Sequence, residues 1–348
     1  MIKGWVFVVR RWKMNKSIVI VLFLLLAGIL GVNRYVFSLL QPVDPSGKNA
    51  DVLVQIAPNS NTAQVASLLE EQKLIRSAQI FRLYTRYHEL DNQLKAGYYL
   101  MNGNMSTPEI ISLLVRGATA SKSFTIPEGY TLKQITDSLA DKNFIREELF
   151  LELLAKGQFH YAFLKNLPQG SKRLEGYLFP ETYNVSLDST EKDIINVMLA
   201  GMDKQLRELK FEEQAKALNL STRQALTIAS MIEREAKKDG DRSLISSVIH
   251  NRLRLGMRLQ IDATVEYALG GHREKIYYKD LEVDSPYNTY KYNGLPPGPI
   301  AAPGRQSLLA AVQPASTNYL YYVAKPDGSH AFATTLEGHN ENKRKYLQ

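Results

Sequence analysis

The spacing of apolar residues changes several times along the chain, and each change predicts a different kind of element. Ile18–Val32 is an unbroken apolar run of 15 residues with no polar face. A membrane-crossing helix needs about 17–25 residues, a length that Ser17 and Asn33–Leu40 supply, with Arg34 reaching for the headgroups and Tyr35 at the interface. Gln41–Ala50 is rich in turn formers and suits a tether. Val52, Val54 and Ile56 then alternate as in a strand, Pro58-Asn59 turns the chain, and an amphipathic helix follows. The order returns 70 residues later: Ile56, Val65, Leu69, Leu74, Ile75 and Arg76 correspond without gaps to Ile126, Ile135, Leu139, Phe144, Ile145 and Arg146. Asn59 falls opposite Gly129, and both residue types tolerate a left-handed backbone. Between the copies, Tyr98–Leu100 predicts a strand, and Ser106 or Thr107 caps a helix with Pro108 in its first turn.

From Arg173 the texture changes. LEGYLFPETY (174–183) is aromatic and too irregular for a simple helix. Helices are expected over Glu191–Leu209, Glu212–Leu218, residues 221–238 and Arg242–Leu255, the last closed by Gly256. Residues 284–304 are loop-rich, and residues 317–334 suit a hairpin turning at Asp327-Gly328. The class expected is α+β.

Charge settles the compartment more than the partner. Lys3, Arg10, Arg11, Lys13, Lys16 and Arg34 precede residue 41 with no acidic residue among them, and they carry most of the net +8. The rest of the chain holds 37 of the 43 basic residues against 35 acidic ones, so no broad phosphate-binding surface exists and nucleic acid is not a partner. Positive charge ahead of the apolar run places the N-terminus in the cytoplasm and the bulk of the chain outside. A cleaved signal peptide competes with the anchor, although no A-x-A-like site follows the run. With no cysteine, disulfides, thiolate metal sites and cysteine nucleophiles are excluded.

Serine-hydrolase, zincin, P-loop and dinucleotide motifs are missing, and the histidines (among them His250, His272, His330 and His339) are scattered singly. No cofactor or metal is expected. What remains is Glu233 and Glu235 on one helix, about 200° apart at 100° per residue and so unable to face one cleft. Glu233 has Lys237 at i+4, a surface pairing. Glu235 has apolar neighbours at Met231 and Ile232 and the like charge Asp239 at i+4. A carboxyl in such a setting gains a raised pKa, the property of a general acid. Glu235 is the candidate, although a glutamate on an amphipathic helix is ordinarily just a solvated face.

Around that helix the sequence resembles the endolytic murein transglycosylase family (YceG-like, also called MltG). The similarity lies in LEGYLFPETY (174–183), IASMIEREA (228–236), VIHNRLRLGMRLQIDATVEYAL (248–269), SPYNTYKYNGLPPGPIAAPG (285–304) and the tail from PASTNYLYYVA through GSHAFATT (314–335). The resemblance implies a cytoplasmic arm (1–16), an anchor (17–37), a tether (38–50), a LysM-like module (51–120) and a YceG-like catalytic domain (121–348). It implies a single-pass protein of the cell inner (plasma) membrane acting on the extracytoplasmic side. The implied reaction cuts the bond between N-acetylmuramic acid and N-acetylglucosamine in peptidoglycan and leaves 1,6-anhydro ends. The second Glu of the family's I-E-x-E segment falls on Glu235, as acid and then base. Gln260, Asp262, Asn288, Thr289 and Tyr290 lie in matching segments and are candidates for binding sugar, with loop scaffolding as the plain alternative. Tyr287, Tyr319, Tyr321 and Tyr322 are candidates for stacking on sugar rings. Glycan strands and the membrane are the partners, and a peptidoglycan synthase is an expected neighbour. Two other functions stay open: a non-catalytic LysM-like envelope scaffold, and a hydrolytic glycosidase.

Overall fold

Helix α1 (Lys16–Leu40) runs past the end expected at Phe37, and its apolar side chains from Ile18 to Phe37 are largely exposed. It is long and apolar enough to cross a membrane. The structure, a computed structural model, describes residues 16–47, 50–271, 273 and 276–347. The basic arm before Lys16 and His272 lie outside the described residues. The stretch after α1, expected as a tether, is hydrogen-bonded to the unit that follows. Arg76 donates from Nε and Nη2 to the Pro42 carbonyl at 3.0 and 2.6 Å, and the Asp44 N–H donates to the Gly103 carbonyl at 2.7 Å. Turn-forming composition favours bends here, and these bonds fix them against the domain that follows.

The chain divides into two compact units, one reaching Ser121 and including Ser186–Asp188, the other formed by Lys122–Val185 and Ser189–Gln348. In the first, β1 (Val52–Ile56), α2 (Thr62–Glu71), α3 (Ala78–Tyr87), β2 (Gly97–Met101) and α4 (Thr107–Arg116) follow in order. Strands β1 and β2 pair antiparallel, with Val52 opposite Met101 and Ile56 opposite Gly97. Val54 and Ile56 on one strand face, Val65 and Leu69 of α2, Phe81 of α3, Tyr99 of β2, and Ile110 and Leu114 of α4 form the core.

The duplication is real in three dimensions. β3 (Ser121–Thr125), α5 (Leu132–Asp141), α6 (Glu147–Lys156) and β4 (Thr182–Ser186) repeat the order β1-α2-α3-β2, and β4 pairs with β3. Asn59 and Gly129 hold φ of 63° and 77°, and Lys73 and Asn143 hold 56° and 55°. Both leading helices start in capping boxes, Asn61 with Gln64 and Thr131 with Gln134. The second copy closes only after an insertion that carries LEGYLFPETY.

The remaining elements are α7 (Glu191–Glu208), α8 (Phe211–Ala217), α9 (Thr222–Glu235), α10 (Asp239–Arg254), α11 (Asp262–Ala268), α12 (Arg305–Val312), β5 (Tyr321–Ala324), β6 (His330–Ala333) and α13 (Leu336–Tyr346). The fold is therefore mixed α+β. β5 and β6 form an antiparallel hairpin, with Tyr321 opposite Ala333. Helix α9 is the centre of the second unit. Ser221 and Gln224 cap it, every residue from Ala225 to Ile232 is buried, and α8, α10, α11 and α12 all pack on it. Its two inner hydroxyls have partners: Thr227 donates to the Arg223 carbonyl at 2.8 Å, and Ser230 donates to the Thr227 carbonyl at 2.7 Å and accepts from the Ile300 N–H at 3.0 Å. The LEGY segment meets the proline-rich loop at Gly176. A Cβ there would lie 2.3 Å from Pro299 Cβ, and its φ of +76° is one that side chains disfavour.

Candidate active site

Helix α9 ends at Glu235 rather than at residue 238, because Ala236 turns to extended backbone (φ −80°, ψ 117°). Two sequence expectations change with that ending. Lys237 is off the helix and cannot pair with Glu233 one turn away. Asp239 begins α10, where Arg242 Nε binds it at 3.1 Å. Glu233 is instead buried: Arg242 Nη1 lies 3.2 Å from its Oε1, and the Gly304 N–H donates to Oε2 at 2.9 Å.

Glu235 has the opposite surroundings. It is half-buried, and among the described residues no cation is seen ion-paired to it. The Tyr322 hydroxyl donates to Oε2 at 3.2 Å, and the Ala263 N–H supplies a further bond. Burial pushes its carboxyl up to about 7, with the Asp262 carboxylate adding to the rise. The bonds from Tyr322 and Ala263 act against this, and Glu266 adds a smaller upward push. The terminal carbonyls of α9 also disfavour a negative charge at this end of a helix. The neighbouring guanidinium groups are engaged elsewhere. Arg234 pairs with Glu266 at 3.2 Å, and Arg252 donates to the carbonyls of Leu320 and Leu259, each at 2.6 Å. A carboxyl titrating near neutrality can give a proton and take one back without a large penalty either way.

The five other candidates divide. The Asp262 carboxylate lies beside Glu235 and accepts from the Tyr290 hydroxyl at 2.5 Å, so these two come together with the acid. Gln260 is exposed on a left-handed turn (φ 52°), with its N–H donating to the Thr289 carbonyl at 3.1 Å. Asn288 is fully buried and donates to the Leu281 and Val283 carbonyls at 2.8 and 2.9 Å. Thr289 is buried too, accepting from the Ile261 N–H at 3.0 Å and bonding the Thr264 hydroxyl at 2.9 Å. These last two shape the loop that carries Tyr290.

Sequence reasoning missed the role of Tyr322 as a donor to Glu235, because the partners are 87 residues apart. It also missed what holds Tyr322. Asp241 accepts from the His330 backbone N–H at 2.7 Å and lies 2.9 Å from its Nδ1, and the His330 ring sits edge-on to Tyr322 at 5.4 Å. Tyr287, Tyr319 and Tyr321 pack on Tyr267, Phe332 and Arg252 respectively. Among the described residues no cluster has the makings of a metal site. Another buried carboxyl, Glu175, also escaped the sequence reading. It accepts from the Leu132 N–H at 2.9 Å and the Tyr267 hydroxyl at 3.0 Å, and burial pushes it up to about 7.

A profile described as the YceG-like family matches residues 54–345. The chain belongs to the YceG-like family. A Bacillus subtilis (strain 168) protein named endolytic murein transglycosylase is 38% identical over 329 residues, covering 91% of this chain and 90% of its own. A protein of the same name from Streptococcus pneumoniae (strain D39) is 34% identical over 359 residues, covering 95% of this chain and 64% of that longer one. The crystal structure of a yceG-like protein from Listeria monocytogenes matches with a TM-score of 0.57 at 39% identity, over 84% of this chain and 99% of that one. YceG-like family membership thus spans both compact units, and the match ends within α13.

Proposed function

We propose that this YceG-like chain is a membrane-anchored lytic transglycosylase that cuts the glycan strands of peptidoglycan with Glu235 as its single acid/base. The observation that carries the reading is a half-buried carboxyl, with no ion-paired cation among the described residues, raised to about 7 at the end of a buried helix. The names of the relatives supply the substrate and reaction class. Protonated Glu235 donates to the oxygen between N-acetylmuramic acid and N-acetylglucosamine as the bond breaks through an oxocarbenium-like state. The resulting carboxylate takes the proton from the muramic O6 hydroxyl as that oxygen closes on C1, leaving a 1,6-anhydro end. Tyr322 and the Ala263 N–H hold the carboxyl in place through both steps. Tyr290 and Gln260 present polar groups suited to sugar hydroxyls, and α1 serves as the single span with the catalytic unit outside the cytoplasm. The βααβ order of β1, α2, α3 and β2 supports reading the first unit as the LysM-like module.

A second reading has an observation of its own. Asp262 brings another carboxylate beside Glu235, and a second carboxylate is what a hydrolytic glycosidase uses to activate water or attack the sugar. Product chemistry separates the two. Full-length protein in detergent is incubated with purified sacculi and the released fragments are weighed by mass spectrometry. Anhydro ends are the expected result, reducing ends transfer the activity to hydrolysis, and no release from folded protein ends both readings.

A further inference from the structure

Beside Glu235 the second unit holds a cavity of about 450 Å³ that the cutting mechanism does not use. Helices α5, α6 and α11 and the segment around residues 171–175 line it, and Glu235 is not on its wall. Ala263 and Glu266 belong both to this wall and to the surroundings of Glu235, so the two sites are neighbours. A strand lying across the acid therefore brings its pendant groups to the cavity mouth.

The lining narrows what those groups are. Leu132, Leu151, Leu154 and Ile300 give aliphatic walls, a poor match for a sugar ring whose edge carries hydroxyls on every side. At the mouth, Lys172 is exposed, its ammonium 4.5 Å from the Tyr267 ring centre and 5.3 Å from that of Tyr287. Among the described residues Lys172 makes no ion pair, whereas the other cations on the wall, Lys133 and Arg234, are paired with Asp137 and Glu266. Glu175 lines the same space, with both oxygens already accepting bonds. Burial pushes it up to about 7 against the two bonds and the nearby Lys172 charge, so near neutral pH about half of it carries an O–H to offer to a carbonyl. Small aliphatic groups, amide carbonyls and a carboxylate are the groups that such walls, such a donor and such a cation would take.

We propose that this cavity binds the short peptide that peptidoglycan strands carry on their muramic residues, with Lys172 receiving a peptide carboxylate and the leucine walls receiving its methyl groups. The proposal rests on the peptidoglycan-cutting reading and adds a substrate feature to it: the enzyme distinguishes strands that bear peptides from strands stripped of them. No covalent step occurs in the cavity.

The test compares KM for peptide-bearing strands and for strands stripped by an amidase, using the full chain in detergent. Losing a charge-assisted contact of about 1.5 kcal/mol corresponds to roughly tenfold in affinity, so Lys172→Met should raise KM for peptide-bearing strands about tenfold relative to stripped ones. Lys172→Arg should recover most of the difference. Leu151→Trp, at a side chain 43% exposed and so tolerant of change, should narrow the cavity and show the same discrimination. Equal shifts for both substrates, or none for the peptide-bearing strands, overturn the proposal. If the wild-type protein cuts neither substrate, the cutting reading has failed by itself, and titration with N-acetylmuramyl dipeptide decides the cavity. Saturable binding weakened by Lys172→Met then upholds it, and an absence of binding overturns it.

Discussion

Glu233 and Glu235 are two residues apart on α9 and have opposite chemical surroundings: Glu233 is held by Arg242 and the Gly304 N–H, while among the described residues Glu235 meets neutral donors and like charges. One carboxylate is tied into an ion pair and a backbone bond, and the other is pushed by burial toward a pKa near neutrality.

Glu235→Gln should therefore abolish strand cutting, a loss of about 10³-fold or more, with circular dichroism and melting temperature near those of the wild type. Glu233→Gln should do the reverse. It leaves a buried guanidinium short of a partner, costs on the order of 3 kcal/mol, and is read as a lower melting temperature with cutting retained in the folded fraction. Loss of cutting in well-folded Glu233→Gln protein would assign the acid to Glu233 in place of Glu235.

Rate against pH should show the proton. A general acid works while it holds its proton, so kcat/KM should fall about tenfold per pH unit above roughly pH 7. The position of that fall is tunable in both directions. The Tyr322 hydroxyl favours the carboxylate, so Tyr322→Phe should move the fall to higher pH. The Asp262 carboxylate opposes ionisation, so Asp262→Asn should move it to lower pH. Shifts of the same sign in both variants would mean that the titrating group is not Glu235.

Glu175 makes a separate statement about stability. Its folded-state value of about 7 lies above the ordinary 4.5, so the folded protein binds this proton more tightly than the unfolded chain does. Stability from this group is complete below about pH 4.5 and declines as pH rises through 7. Glu175→Gln should flatten that part of the melting-temperature profile between pH 5 and 8, leaving the share that Glu235 contributes by the same linkage.

Gly176→Ala tests the contact between the LEGY segment and the proline-rich loop. A methyl group 2.3 Å from Pro299 Cβ at φ +76° forces the loop to shift, with backbone strain alone costing about 1–3 kcal/mol. A lower melting temperature is expected, measured by calorimetry. An unchanged one would mean that the two motifs are not held this closely.

Much of this was legible in one dimension because it depends on neighbours in sequence. The α7, α8 and β5–β6 positions, the capping residues Ser106 and Ser221, and the left-handed positions Asn59 and Gly129 all follow from local rules. The apolar stretch before Glu235 likewise pointed to burial. Legibility stopped where partners are distant in sequence. Nothing near Glu233 announces Arg242 as its cation once the helix breaks at Ala236, and nothing near Tyr322 announces Glu235. Asn288 and Thr289 are polar residues in a glycine- and proline-rich loop, which suggested contact with sugar. Their full burial, with every mapped bond directed inward, came only from the packing of that loop on Thr264 and Leu281.

The pair of hydrogen bonds from Arg76 to the Pro42 carbonyl has a consequence for where the protein can work. A flexible leash would let the first unit sweep a volume that grows with the number of free residues. Clamped this close to the end of α1, the unit is instead held at a set distance from that helix, so with α1 in a bilayer as proposed it would stay within one thin layer beside it.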